Sequence, residues 1–356
     1  MKKKIILIIL VILLVLVCSL GAFYVWGMGA VSNENEIKTF VIEPGTSKSD
    51  VVKNLENAGL IRSQYPLLVY LFFSGGNIQA GEYELSTNMK PTDMIQKFVD
   101  GDVLIHSLQV TLVEGKRLTD YADVLSENLK FTAEEFLTQA NDRAFLEELV
   151  STGDYWFLTN EILNEELYYP LEGYLYPDTY EFLETASPKE VILTLLNHTE
   201  TKLEPYKESI LNSEYTFHEI LTLASMVEKE ANSESDRQTV AQVFLTRLQE
   251  NWSLGSDVTT YYGAHKEIGV DELTWNELND SNPYNTRLTD GSMNGKLPIG
   301  PICNPSIISI AATLSPSDTH YYYFVANVCT GEVFFQTTSE EFYQKNIELS
   351  NSCAAN

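Results

Sequence analysis

The sequence predicts an α+β chain in three parts: an N-terminal transmembrane helix, a small α/β module, and a larger mixed α+β domain built around a glutamate-bearing helix. Three observations carry this. Residues 5–26 are an unbroken apolar run of twenty-two residues without a charge, long enough to cross a bilayer's hydrocarbon core as a helix. Strand-like and helical patterns then alternate between Gly- and Pro-rich turns, as in a mixed fold. Finally, residues 216–231 have helical periodicity, with one carboxylate on an otherwise apolar side.

Met1-Lys2-Lys3-Lys4 precede the apolar run. Flanking lysines favour the inside, so residues 1–4 are expected in the cytoplasm, 5–26 in the membrane and the rest outside it. The run is longer than the apolar core of a cleaved signal peptide, and Gly27-Met28-Gly29-Ala30 is a poor cleavage site, which favours a retained single-pass anchor. A polar linker over 27–38 follows. With Cys18 in the membrane, Cys303, Cys329 and Cys353 remain outside, an odd number that sets no disulfide framework. A Cys303 to Cys329 bond and free buried thiols both stay open.

The module occupies residues 39–103. Its elements are a strand at 39–42, a turn at 44–47, a helix at 48–58 ended by Gly59, an apolar helix near 65–73, a strand at 80–85 and a helix at 91–99 closed by Gly101. A strand at 108–112 opens the remaining domain, 104–356, followed by helices to Leu129, over 132–140 and over 143–150. Residues 168–180 hold two prolines, a glycine and five tyrosines, so the rings sit on loop or short strand. They suit stacking on sugar rings or an ordinary core edge. Helices at 188–203, 236–249 and 306–314, a hairpin over 321–336 and a last helix from Ser339 complete the domain.

Thr216 and Glu219 form a capping box that fixes the phase of the 216–231 helix. Steps of three and four from Phe217 reach Leu221, Ala224, Glu228 and Ala231, while Glu230 lies about 200° further round. A glutamate on a packed face must find a partner or take up a proton. The partner could be Lys229, Arg237 or Arg247; the proton would suit a general acid.

The net charge of -27 from 23 basic and 50 acidic residues excludes a nucleic-acid binder. His106, His198, His218, His265 and His320 have no metal-ligand spacing, and His218 reads as a first-turn surface residue. No Gly-x-Ser-x-Gly elbow occurs.

Four segments, in order, carry a resemblance to the YceG-like, or MltG-type, endolytic murein transglycosylases. They are residues 172–180 (Glu-Gly-Tyr-Leu-Tyr-Pro-Asp-Thr-Tyr), 223–230 (Leu-Ala-Ser-Met-Val-Glu-Lys-Glu), Ser256-Asp257 with Tyr262-Gly263, and 283–286 (Pro-Tyr-Asn-Thr) with 297–305. The module over 39–103 is similar to LysM-like modules of wall proteins, although a plain spacer fits its pattern as well. The resemblance implies a cofactor-free lyase that cuts the MurNAc-GlcNAc bond within nascent glycan strands, leaves 1,6-anhydroMurNAc ends and ends strand elongation during cell wall assembly. It implies Glu228 as the catalytic residue. It places Glu172, Tyr176, Asp178, Asp257, Tyr284, Asn285 and Asn304 around the cleft as substrate-positioning or supporting groups, with Gly300 shaping a loop. Partners would be peptidoglycan and the synthases or the elongation and division proteins. Gly255, Val258, Arg287, Ser306 and Glu341-Phe342 depart from the family pattern, and the loop over 288–296 is enlarged. The rival is a membrane-anchored peptidoglycan-binding or scaffold protein without catalysis.

Overall fold

The computed structural model describes residues 2–104, 107–327 and 329–354, so His106 and the side chain of Cys353 lie outside the described residues. The chain divides into two compact units, Met1–His106 and Ser107–Asn356.

In the first unit α1 (Lys2–Gly27) is followed by β1 (Ile37–Ile42), α2 (Lys48–Asn57), α3 (Gln64–Ser74), β2 (Gly81–Ser86) and α4 (Pro91–Asp100). One helix among the described residues, spanning Lys3–Gly27, is long and apolar enough to cross a membrane. β1 and β2 pair antiparallel, with Phe40 opposite Tyr83. Alternation along the strands sends Phe40, Ile42, Tyr83 and Leu85 to one side, where they bury against Leu55 and Phe98. The Ser47 hydroxyl caps α2 through the Asp50 amide, and Gly101 closes α4 in the left-handed region. The polar segment after α1 is less free than a linker over 27–38 would be. Ser32 donates to the Thr87 carbonyl and Thr87 to the Glu36 carbonyl, and β1 already starts at Ile37.

The second unit pairs β3 (Ser107–Thr111) antiparallel with the distant β4 (Thr179–Leu183). Between them lie α5 (Leu118–Asn128), α6 (Ala133–Ala140) and α7 (Arg143–Thr152). Then follow α8 (Pro188–Leu203), α9 (Lys207–Leu211), α10 (Phe217–Glu230), α11 (Glu234–Gln249), α12 (Asp257–Gly263), α13 (Trp275–Leu278) and α14 (Ile307–Leu314). The hairpin of β5 (Tyr323–Ala326) and β6 (Val333–Gln336) and the terminal α15 (Ser339–Ala354) end the chain.

This unit has two apolar clusters, and α10 is the wall they share. Phe217, Ile220, Leu221 and Ala224 face the cluster built on β3, β4, α5 and α8. Leu223, Met226 and Val227 face the one formed with α11 and Tyr262. Hence α10 is buried on every side from Ile220 to Val227, where the sequence periodicity suggested one apolar face. The capping box of Thr216 and Glu219 forms as expected. His218 corrects its surface assignment: it is buried, its Nδ1 2.8 Å from the Tyr174 hydroxyl and its Nε2 2.9 Å from the Ile299 carbonyl. Two of the five loop tyrosines, Tyr174 and Tyr180, are core residues. Cys303 is a free buried thiol, so it makes no bond to Cys329.

Candidate active site

Glu228 stands on the last turn of α10, where the helix leaves the shared core. Its side chain is only 6% exposed and its partner is Arg237, whose Nη2 lies 2.8 Å from Oε1. The other oxygen, Oε2, accepts from the Ser306 amide at 3.0 Å, the Ser306 hydroxyl at 2.6 Å and the Ser309 hydroxyl at 2.7 Å. Ser306 is the N-cap of α14, so the carboxylate sits at a helix N-terminus, where unpaired amides and the helix dipole favour negative charge. Arg237 reaches this position from the first turn of α11, held by the Ala231 carbonyl and the Ser306 hydroxyl, both at 3.0 Å. The three-residue turn between α10 and α11 makes this possible, because it folds the two helices back on each other. Lys229 instead donates to the Gly115 carbonyl at 3.3 Å. Arg247 serves the Tyr322 and Leu254 carbonyls.

Gly115 lies against the acid. At a φ of +70° it needs glycine, and a Cβ there would stand 3.4 Å from Glu228 Cγ. The loop it belongs to is zipped to the segment before Ser306: Gly115 donates to the Asn304 carbonyl at 2.8 Å, and Asn304 to the Lys116 carbonyl at 2.9 Å.

Tyr176 is half-buried beside this cluster and accepts from the Ile307 amide. Asp178 is next in line. His198 Nε2 at 2.8 Å and Lys202 Nζ at 2.9 Å grip its carboxylate, and the Lys202 bond, with that of His198, holds it well below the usual carboxylate range. Lys202 also lies 5.3 Å from the centre of the Tyr176 ring.

Glu172, Tyr284, Asn285, Gly300 and Asn304 are all buried, which fits the supporting rather than the substrate-contacting alternative of their assignment. Glu172 accepts from the Leu118 amide at 2.8 Å and the Tyr262 hydroxyl at 3.0 Å. Asn304 ties three segments together, bonding the Lys116 carbonyl, the Leu175 amide and Glu172. Asn285 secures the 278–280 turn through the Leu278 and Asp280 carbonyls. Tyr284 packs its ring at a tilt against those of Tyr168 and Tyr262. Gly300 gives the backbone a close approach, since a Cβ would meet Leu167 at 2.6 Å. Asp257 is exposed and paired with Arg287. It follows Ser256, whose hydroxyl is 2.7 Å from Glu230 Oε1. Glu230 thus points to the α12 side, away from Glu228, and burial pushes its carboxyl up.

Burial pushes the Glu172 carboxyl up to about 8, against the pull of the Tyr262 and Leu118 hydrogen bonds. The folded chain then keeps a proton that the unfolded chain releases near 4.5. This contribution to stability is complete below the unfolded value and is lost as pH rises through about 8. Denaturant titrations across this window should show stability falling by on the order of 1 kcal/mol per pH unit, and Glu172→Gln should flatten the slope. An identical slope in the variant would show that Glu172 is not its source.

A cavity of about 480 Å³ opens at the other end of α10, bordered by Glu161, Tyr215, Glu219 and residues 295–299. Glu219 and Glu228 are nine positions apart, roughly 13 Å along the helix, so Glu228 does not border this hollow. Of its partners, Arg237 was among three candidates in the sequence. Ser309 was not, although its spacing of three from a capping Ser306 is a usable signal.

The profile of the YceG-like family matches residues 40–348. The chain is 32% identical over 328 residues to the endolytic murein transglycosylase of Bacillus subtilis strain 168, covering 90% of this chain and 88% of that one. It is 27% identical over 336 residues to the enzyme of the same name from Streptococcus pneumoniae strain D39, of which it spans 60% of the length. A crystal structure of a yceG-like protein from Listeria monocytogenes superposes with a TM-score of 0.61 at 31% identity, covering 87% of this chain and 99% of that chain. A profile matched over nearly the whole length, and a relative of this identity and coverage, place the chain in the YceG-like family.

Proposed function

We propose that this protein is an endolytic murein transglycosylase with Glu228 as its proton donor and acceptor. The observation that carries the reading is the Glu228 carboxylate itself, almost out of solvent and, among the described residues, hydrogen-bonded by Arg237, Ser306 and Ser309. In the first half of the reaction Glu228 gives its proton to the glycosidic oxygen as the bond to C1 of MurNAc breaks. In the second, its carboxylate takes the proton of the MurNAc 6-hydroxyl as that oxygen bonds to C1. No water enters and the acid returns to its starting form. Arg237, Ser306 and Ser309 stabilise the anion that exists between the two transfers. A second carboxylate, needed when water is the nucleophile, has no part here because the nucleophile belongs to the substrate. Glu230, the neighbouring acid, is engaged with Ser256.

Tyr176, Asp178 and Asp257 retain solvent-facing surface and are the residues we assign to substrate positioning. The module over 39–103 we read as LysM-like, on its strand-helix-helix-strand order, and 104–356 as the catalytic domain. The lysines before α1 argue for a cytoplasmic N-terminus with both modules outside. A place beside peptidoglycan synthases follows, since uncrosslinked strands exist where polymerisation is under way.

Full-length protein incubated with uncrosslinked peptidoglycan should release glycans ending in anhydroMurNAc, 18 mass units lighter than the reducing-end products of hydrolysis. Reducing ends would keep the cleavage and reject the lytic step. Intact strands would leave the scaffold reading.

A further inference from the structure

α3 carries no charged residue; its sequence is QYPLLVYLFFS. Leu67 and Leu71 bury into the module's core, but Tyr65, Val69, Phe72 and Phe73 on the opposite face are exposed, Phe72 by 84% and Phe73 by 81%. A helix apolar all round belongs in a core or at a membrane, and an aromatic patch of this kind on a soluble surface marks an interaction site. Its location says what covers it. Pro66, in the first turn of α3, packs so closely on Gly27, the last residue of α1, that a Cβ there would lie 2.4 Å from Pro66 Cγ. Arg62, just before α3, donates to the Trp26 carbonyl at 3.1 Å, with its guanidinium 5.6 Å from the Trp26 ring centre. Met28 packs on the module's core. Phe23, Tyr24 and Trp26 end the apolar run as a belt of aromatic rings does at the headgroup level, and Arg62 has the stem and charge to lie there too.

We propose that α3 is a membrane-surface helix, with Tyr65, Val69, Phe72 and Phe73 seated in the interfacial layer of the bilayer that α1 enters. From Pro66 to Ser74 the helix runs roughly 12 Å, and helices of this type settle about 5–10 Å into the headgroup and acyl boundary. The module is then held to the bilayer by two contacts rather than hung from one. This rests on the reading of α1 as a membrane span.

The test uses full-length protein in vesicles of phosphatidylglycerol and phosphatidylethanolamine, with p-benzoylphenylalanine in place of Phe72, of Val15 in α1, or of the exposed Lys53 in α2. On irradiation, lipid adducts are expected at positions 15 and 72 and not at 53. Lipid adducts at 15 alone would overturn the inference and leave the anchor standing. A protein dimer crosslinked through position 72 would assign the face to a second copy. No lipid adduct at either position would remove the anchor reading as well.

Discussion

Glu228→Gln should lower the rate of anhydro-product release by roughly 10²–10⁴, the range attributed to a positioned acid or base, while the fold survives. Glutamine keeps the shape of the side chain and can still accept from Ser306 and Ser309, but it has no proton to give at the first step and cannot take one at the second. The amide brings one conflict. If its oxygen stays with the two serines, its NH₂ faces the Arg237 guanidinium, a donor opposite a donor. A buried mismatch of this kind costs about 1–3 kcal/mol, so a lower melting temperature with unchanged circular dichroism is the expected companion. Product release within a factor of about three of wild type, on folded variant, would remove Glu228 from the chemistry.

Arg237→Met should be the most destabilising single change near the site. It leaves the Glu228 carboxylate, 6% exposed, without its bonded cation, and breaking a buried pair from one side costs about 3–5 kcal/mol. For a unit of this size each kcal/mol lowers the melting temperature by roughly 2–4 °C. The methionine also abandons the Ala231 carbonyl at the end of α10 and the Ser306 hydroxyl, so the turn that places the acid should loosen. Activity should fall with stability even though Arg237 is not a proton donor. The double variant Glu228→Gln, Arg237→Met separates the two effects, because a neutral residue at 228 no longer requires the cation. Its loss should be smaller than the sum of the single losses by about 0.5–3 kcal/mol. Strict additivity in thermal unfolding would mean that the pair is not coupled.

Sequence made some of this site visible and hid the rest for a definite reason. The start of α10 was legible because Thr216 and Glu219 are three residues apart, and α1 because its signal is an uninterrupted run. The second core behind α10 was not: its walls come from α11, α12 and the loop at Tyr284, and no local period reveals a helix packed on two sides. His218 was misread on the same ground, since Tyr174 and Ile299 that enclose it are distant in the chain. Glu172, Asn285 and Asn304 have the composition of cleft residues, but a polar side chain in a Pro-rich loop looks alike whether it meets substrate or a backbone carbonyl. The partner of Glu228 was legible in kind, as Lys229, Arg237 or Arg247. Only the fold chose among them, because the α10–α11 turn brings the first residues of α11 back to the acid.

The position of α10 between two cores has a consequence for how such an enzyme can vary. The acid is fixed from behind by interior side chains on both flanks, while residues 288–296 lie at the surface, with Gly295 and Lys296 beside the hollow at the far end of the helix. Insertions or exchanges in that loop are expected to leave the reactive atom in place. Surface variation on that side and the placement of the carboxylate are therefore separately adjustable.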